Sequence, residues 1–143
     1  MPQVVKERYA WSIPEPPAPN ILIVDDDPDF VEVTRLVLEA EGFRTSNASS
    51  GQIALQTARA NPPDLVIMDV IMEGVLDGWD AMRQIRSDSR LRDLPILVVS
   101  SITSTDYAGL IPTDEDFRID NFLSKPVTPG QLTAEVKRLL KRS

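Results

Sequence analysis

The sequence predicts an α/β fold of the doubly wound kind, a five-stranded parallel sheet with helices on both faces, and three observations carry that expectation. From Asn20 onward, short apolar runs alternate with amphipathic helical patterns. The runs at 21–24, 65–68 and 96–99 are apolar throughout, as strands buried on both faces must be. The connections are short, and right-handed crossovers then place helices on either side of the sheet.

Each element has its own signals. Residues 21–24 form the first strand. Asp27 is placed to cap a helix that starts at Pro28, with Phe30, Val33, Val37 and Ala40 at helical spacing and Gly42 as a left-handed stop. Residues 44–48 read as a second strand. Ser49 and Gln52 then make a capping-box pattern for a helix carrying Ile53, Leu55 and Ala58, which Asn61-Pro62-Pro63 ends. After the strand at 65–68, a third helix presents Trp79, Met82 and Ile85 on its apolar face, points Arg83 and Arg86 outward and stops near Ser89.

Residues 96–100 form the fourth strand and residues 121–123 the fifth. Between them a short helix at about 104–110 is expected, followed by a long loop, because Pro112 and the acidic run Asp114-Glu115-Asp116 interrupt any longer pattern. Thr128 caps the last helix, with Pro129 in its first turn and Gln131 completing the box. Leu132, Val136, Leu139 and Leu140 share one face of it, and Lys137, Arg138, Lys141 and Arg142 sit near its carboxyl end.

Composition narrows what such a domain can be. A chain of 143 residues, 42% hydrophobic and 26% charged, fits one domain, residues 20–143, preceded by a proline-rich extension, residues 1–19. Pro14, Pro16, Pro17 and Pro19 favour an extended arm there. It reads as a flexible leader, with Tyr9, Trp11 and Ile13 as residues able to dock it. With no cysteine, disulfides and thiolate metal sites are excluded. A net charge of −7 argues against non-specific nucleic-acid binding. No signal peptide and no membrane-length apolar run is present, so the expected location is the cytoplasm.

Chemistry collects at the ends of the strands. Asp25 and Asp26 follow the first, Asp69 the third, Ser100 closes the fourth, and Lys125-Pro126 comes just after the fifth. In an open parallel sheet the carboxyl ends meet at one edge, so these groups converge. Clustered carboxylates call for a cation, and hard oxygen ligands suit Mg²⁺. Asp69 is the candidate nucleophile toward phosphorus, Lys125 the positive charge and Ser100 the hydroxyl donor to the phosphoryl oxygens. Pro126 admits a cis bond that would set the direction of the lysine. Asp27 is assigned to helix capping.

The strings ILIVDDDPDF, LVIMDVIM followed by Asp77-Gly78, LPILVVSS and FLSKPV, in this order and spacing, resemble the receiver domain of two-component response regulators from about Asn20 to the end. The resemblance implies a flavodoxin-like sheet of strand order 2-1-3-4-5. It implies that Asp69 takes a phosphoryl group from a histidine kinase or histidine phosphotransfer protein, and that Asp25 and Asp26 hold Mg²⁺ together with Asp69 and the backbone carbonyl of Ile71. Lys125 would contact the phosphoryl group, Ser100 would move toward it, and Phe122 would be the aromatic switch residue. The implied protein is a phosphorylation-dependent switch rather than a conventional enzyme, stand-alone and chemotaxis-regulator-like, that acts through contacts with an unidentified output protein. Neither nucleic acid nor membrane is expected as a partner.

Two departures from the family pattern stand beside the site. Glu73 replaces the usual proline, with one extra residue before Asp77-Gly78, and the interval from Ser100 to Lys125 is a few residues longer than is usual for the family. Ile71 and Ile102 are both apolar and offer no group to orient an attacking water, so a long-lived acyl phosphate is expected. Two other readings remain at this point. One is a receiver fold that binds partners constitutively; the other is a phosphatase of the haloacid dehalogenase type, for which Asp25 and Asp27 have the right spacing.

Overall fold

A computed structural model describes residues 17–70, 77–101 and 119–142. Its strands are β1 (Asn20–Val24), β2 (Arg44–Ala48), β3 (Leu65–Met68), β4 (Ile96–Ser100) and β5 (Asn121–Ser124). Its helices are α1 (Pro28–Ala40), α2 (Gly51–Ala60), α3 (Asp77–Ser87) and α4 (Pro129–Arg142). The five strands form one parallel sheet of order β2-β1-β3-β4-β5. The expected helix at 104–110, the reshaped loop at Glu73 and the arm up to residue 16 lie outside the described residues.

Alternation along the strands divides the core in two, because successive side chains of a strand point to opposite faces. Leu22, Val24, Val66, Met68, Ile96 and Val98 face α2 and α3, where Leu55, Ala58, Met82 and Ile85 cover them. Ile21, Ile23, Leu65, Ile67, Leu97 and Val99 face α1 and α4, meeting Val31, Leu38, Leu132, Val136 and Leu139. The central strands β1, β3 and β4 are therefore buried along their whole length, which is why they carry no polar residue before their final positions except Asn20. The amide of Asn20 donates to the Asp64 carboxylate at 2.8 Å.

Most helix punctuation falls where expected. Asp27 caps α1 by accepting from the Asp29 amide at 3.0 Å, and Gly42 takes φ 92° just beyond its end. Thr128 and Gln131 form a full capping box at α4. The Thr128 amide donates to the Gln131 side chain at 3.0 Å, and the Gln131 amide donates to the Thr128 hydroxyl at 3.1 Å.

Three expectations are corrected. The buried stripe of α1 is Val31, Thr34 and Leu38, whereas Val33 is 59% exposed and Phe30 and Val37 only flank the core. The 30-33-37 spacing is helical too, but it is rotated by about 100° from the side that the sheet covers. The cap of α2 is Ser50, not Ser49: its hydroxyl accepts from the Ile53 amide at 3.2 Å, and Ile53 itself is largely exposed. Arg86 does not point outward. Its side chain is 5% exposed, donates to the carbonyls of Arg92 and Leu94 at 2.8 Å each and lies 3.6 Å from the Asp120 carboxylate. Carbonyls at the turn into β4, that of buried Leu94 among them, need donors, and the planar guanidinium supplies several at once.

Candidate functional site

The carboxyl edge of the sheet is assembled by backbone bonds that extend the strand ladders beyond the regular strands. The Asp25 amide donates to the Ala48 carbonyl at 3.1 Å, the Asp69 amide to the Val24 carbonyl at 2.9 Å and the Lys125 amide to the Ser100 carbonyl at 2.8 Å. Asp25, Asp69, Ser100 and Lys125 thus stand side by side in the order β1, β3, β4, β5. They meet next to the point where the strand order reverses, between β1 and β3, which is where open α/β sheets leave a crevice.

Lys125 joins the acids. Its Nζ donates to Asp25 Oδ2 at 2.8 Å and to Asp69 Oδ2 at 3.2 Å. The Asp25 side chain is 1% exposed and that of Asp69 7%. Burial pushes the Asp25 carboxyl above its ordinary range, more than the hydrogen bonds from Lys125 and from the Asp27 amide at 2.9 Å pull it down. Burial also acts to lower the Lys125 pKa, but the hydrogen bond to Asp25 and the charges of Asp69 and Asp25 outweigh it, and the ammonium is held above its usual value. The Lys125-Pro126 bond is cis.

The remaining predicted residues are placed unevenly. Ser100 is fully buried, and its Oγ has no hydrogen-bond partner among the described residues. Phe122 is half-buried against the α2/α3 side of the core. Asp26 is exposed. Among the described residues no three acidic side chains are gathered into a ready metal cage, and the Ile71 carbonyl lies outside those residues, as does Ile102. Asp27 is exposed and engaged as the α1 cap.

Two contacts at this edge are not evident from the sequence. The ring of Phe30 lies under the Lys125 ammonium, 4.2 Å from Nζ to the ring centroid. The only available signal was its position in the first turn of α1, directly after the acidic triplet. Gly78, at the start of α3, comes so close to the strand end that an added Cβ would lie 2.8 Å from Val70 Cα and 3.1 Å from the Asp69 carbonyl oxygen. Only glycine admits that approach.

A parallel sheet with buried aspartates ending β1 and β3, a lysine after β5 and a hydroxyl ending β4 is the arrangement that the sequence resemblance implied. Residues 21–137 match the family model of the response regulator receiver domain. The chain belongs to this family. The receiver is 36% identical over 124 residues to the DNA-binding response regulator MtrA of Mycolicibacterium smegmatis, a match that covers 87% of this chain and 51% of the relative. It is 35% identical over 127 residues to the transcriptional regulatory protein PrrA of Mycobacterium tuberculosis, with 87% and 51% covered. The chain spans about half the length of these curated relatives.

Among solved structures, the receiver is similar to the signal receiver domain of a signal transduction histidine kinase from Syntrophus aciditrophicus, with a TM-score of 0.75 at 31% identity, covering 87% of this chain and 92% of that one. It is also similar to the receiver domain of the sensor histidine kinase PA1611 from Pseudomonas aeruginosa, described with a magnesium ion coordinated in its active-site cleft. That TM-score is 0.77 at 25% identity, with 87% and 98% covered. No helix among the described residues is long and apolar enough to cross a membrane.

Proposed function

We propose that this receiver is a phosphorylation-dependent signalling switch that accepts a phosphoryl group on Asp69 from a phosphohistidine of a histidine kinase or histidine phosphotransfer protein. The observation that carries the reading is the Lys125 ammonium held between the buried carboxylates of Asp25 and Asp69, beside a buried Ser100 hydroxyl that has no partner among the described residues. In the transfer, an Asp69 carboxylate oxygen forms the new bond to phosphorus as the phosphorus–nitrogen bond of the donor breaks, and the imidazole leaves with the electron pair. Lys125 is close enough to follow the phosphoryl oxygens, and Ser100 Oγ has a free proton to donate to them.

The donor set fits a hard divalent cation: Asp25 and Asp69 are adjacent carboxylates drawn to one cation already, and Asp26 stands next in the chain at the open side. The magnesium described for the PA1611 receiver supports the same assignment here. Mg²⁺ held by Asp25, Asp26, Asp69 and the Ile71 carbonyl would neutralise charge on the transferring oxygens. Ser100 and Phe122, on adjacent strands β4 and β5, then couple the phosphoryl group to the packing around β5, a shift between two arrangements rather than a continuous motion. The acidic surface charge supports output by these residues through protein contacts rather than through a nucleic-acid backbone.

Incubation with acetyl phosphate and Mg²⁺, followed by intact mass, tests the assignment. One phosphoryl adduct is expected, absent in Asp69→Asn. A chain that takes up no adduct under any condition is a constitutive binding module instead.

A further inference from the structure

Among the described residues Lys125 Nζ meets two carboxylates, of Asp25 and Asp69, and the uncharged ring of Phe30. Both carboxylates that hold it are the ones a divalent cation would take, and a bound cation would also repel the ammonium directly, since like charges a few ångströms apart in a partly buried site are weakly screened. The proposed chemistry nevertheless needs Lys125 at the phosphoryl oxygens while the cation is bound. Something that neither competes for the metal nor carries charge has to keep it there.

The Phe30 ring meets that description. It sits 4.2 Å from Lys125 Nζ and presents its electron-rich face to the cation, an attraction that persists without any carboxylate. The ring is itself fixed. Phe30 packs beside the core formed by Val31 and Leu132, and the start of α1 is tied to Asp25, whose Oδ1 accepts from the Asp27 amide at 2.9 Å. The ring, the Lys125 stem, Val127 and Leu132 line one groove of about 510 Å³ between α1 and α4, so the lysine has an apolar wall to lean on as well as an aromatic face.

We propose that Phe30 is a positioning residue that keeps Lys125 in the site when a divalent cation claims Asp25 and Asp69. This rests on the reading of Asp69 as the phosphoacceptor, but its first test does not. A ring under the ammonium shifts the Lys125 Cε protons upfield, which NMR of lysine-labelled protein reads with no phosphoryl donor present. The upfield shift is expected in the native chain both without Mg²⁺ and at saturating Mg²⁺, lost in Phe30→Leu and kept in Phe30→Tyr.

The second test is the rate of phosphorylation by acetyl phosphate at saturating Mg²⁺. Phe30→Leu is expected to be slower by about two- to fivefold, and Phe30→Tyr, which retains the ring, to match the native chain. Lys125 Cε protons that return to ordinary positions when Mg²⁺ is added would overturn the proposal, as would an undiminished rate in Phe30→Leu. A native chain that takes up no phosphoryl group, with the upfield shift intact, would instead overturn the proposed function.

Discussion

Lys125 Nζ stands 2.8 Å from Asp25 Oδ2, a contact between residues 100 positions apart in the chain. The same ammonium reaches Asp69, 56 positions away. Without that cation two buried carboxylates would face each other. Lys125→Met is therefore expected to destabilise the fold by about 1–3 kcal/mol, the cost of leaving buried charge unpaired. The double variant with Asp25→Asn should recover part of the loss. Urea melts of the single and double variants check this, and equal losses in the two would refute the coupling.

The raised pKa of Asp25 sets a pH dependence. Its folded value lies above its unfolded one, so the folded chain binds that proton more tightly. The contribution of Asp25 to stability then falls as pH rises from the ordinary carboxylate range through the raised folded value, and stays flat above it. Asp25→Asn is expected to raise Tm at neutral pH and to lose that advantage below about pH 4. Melting curves across that range decide the matter; a variant less stable than the native chain at neutral pH contradicts it.

Ser100 Oγ is buried with no hydrogen-bond partner among the described residues, and such a group weakens the fold. Ser100→Ala should leave stability unchanged or raise it by about 1 kcal/mol, while phosphorylated Ser100→Ala is expected to lack the change in Phe122 surroundings that the proposed switch predicts for the native chain. Thermal melts and NMR of the Phe122 ring provide the two readouts. A marked drop in Tm would mean that the hydroxyl has a structural partner.

At Gly78 there is no room for a methyl group against Val70 Cα. Gly78→Ala is expected to cost about 1–3 kcal/mol through forced backbone displacement and to slow phosphorylation, because the backbone to be displaced is that of Val70 and the adjoining Asp69 carbonyl. Denaturant melts with parallel phosphorylation rates check both effects. An unchanged rate would separate the two.

Arg86 ties α3 to the turn before β4 and, through Asp120, to β5. Asp120 accepts from the Ile96 amide at 2.8 Å and lies 3.6 Å from Arg86. Arg86→Met should remove about 2–4 kcal/mol of stability by taking the guanidinium donors from the Arg92 and Leu94 carbonyls and the positive charge from beside the half-buried Asp120 carboxylate. Amide hydrogen exchange should rise first at Leu94 and Ile96; a uniform rise across the sheet would count against so local a role.

The elements were legible because their signals are local. Apolar runs of strand length marked β1, β3 and β4, and Asp27-Pro28 and Thr128-Pro129 marked two helix starts with the right caps. The misread faces of α1 and of Arg86 share a cause, which is that spacing alone leaves the rotation of a helix about its axis undetermined, whereas the cap of α2 shifted by one residue because Ser49 and Ser50 carry the same local signal. Val33 and Val31 are both apolar and both at helical spacing, and only the approach of β1 and α4 selects the second. The same periodic argument points Arg86 outward, although the carbonyls it satisfies belong to a turn six to eight residues further on.

Residue order determined which groups end each strand: Asp25 after β1, Asp69 after β3, Ser100 at the end of β4 and Lys125 after β5. Backbone propensity and apolar patterning act over a few residues, so those placements need nothing from the rest of the chain. Only the tertiary structure decided what these groups touch. Side-by-side pairing of β1 with β3 and of β4 with β5 brings Lys125 within hydrogen-bonding distance of two acids, and the docking of α1 against α4 puts Phe30 beneath it. Those distances depend on the packing of elements remote in sequence, and no local pattern encodes them.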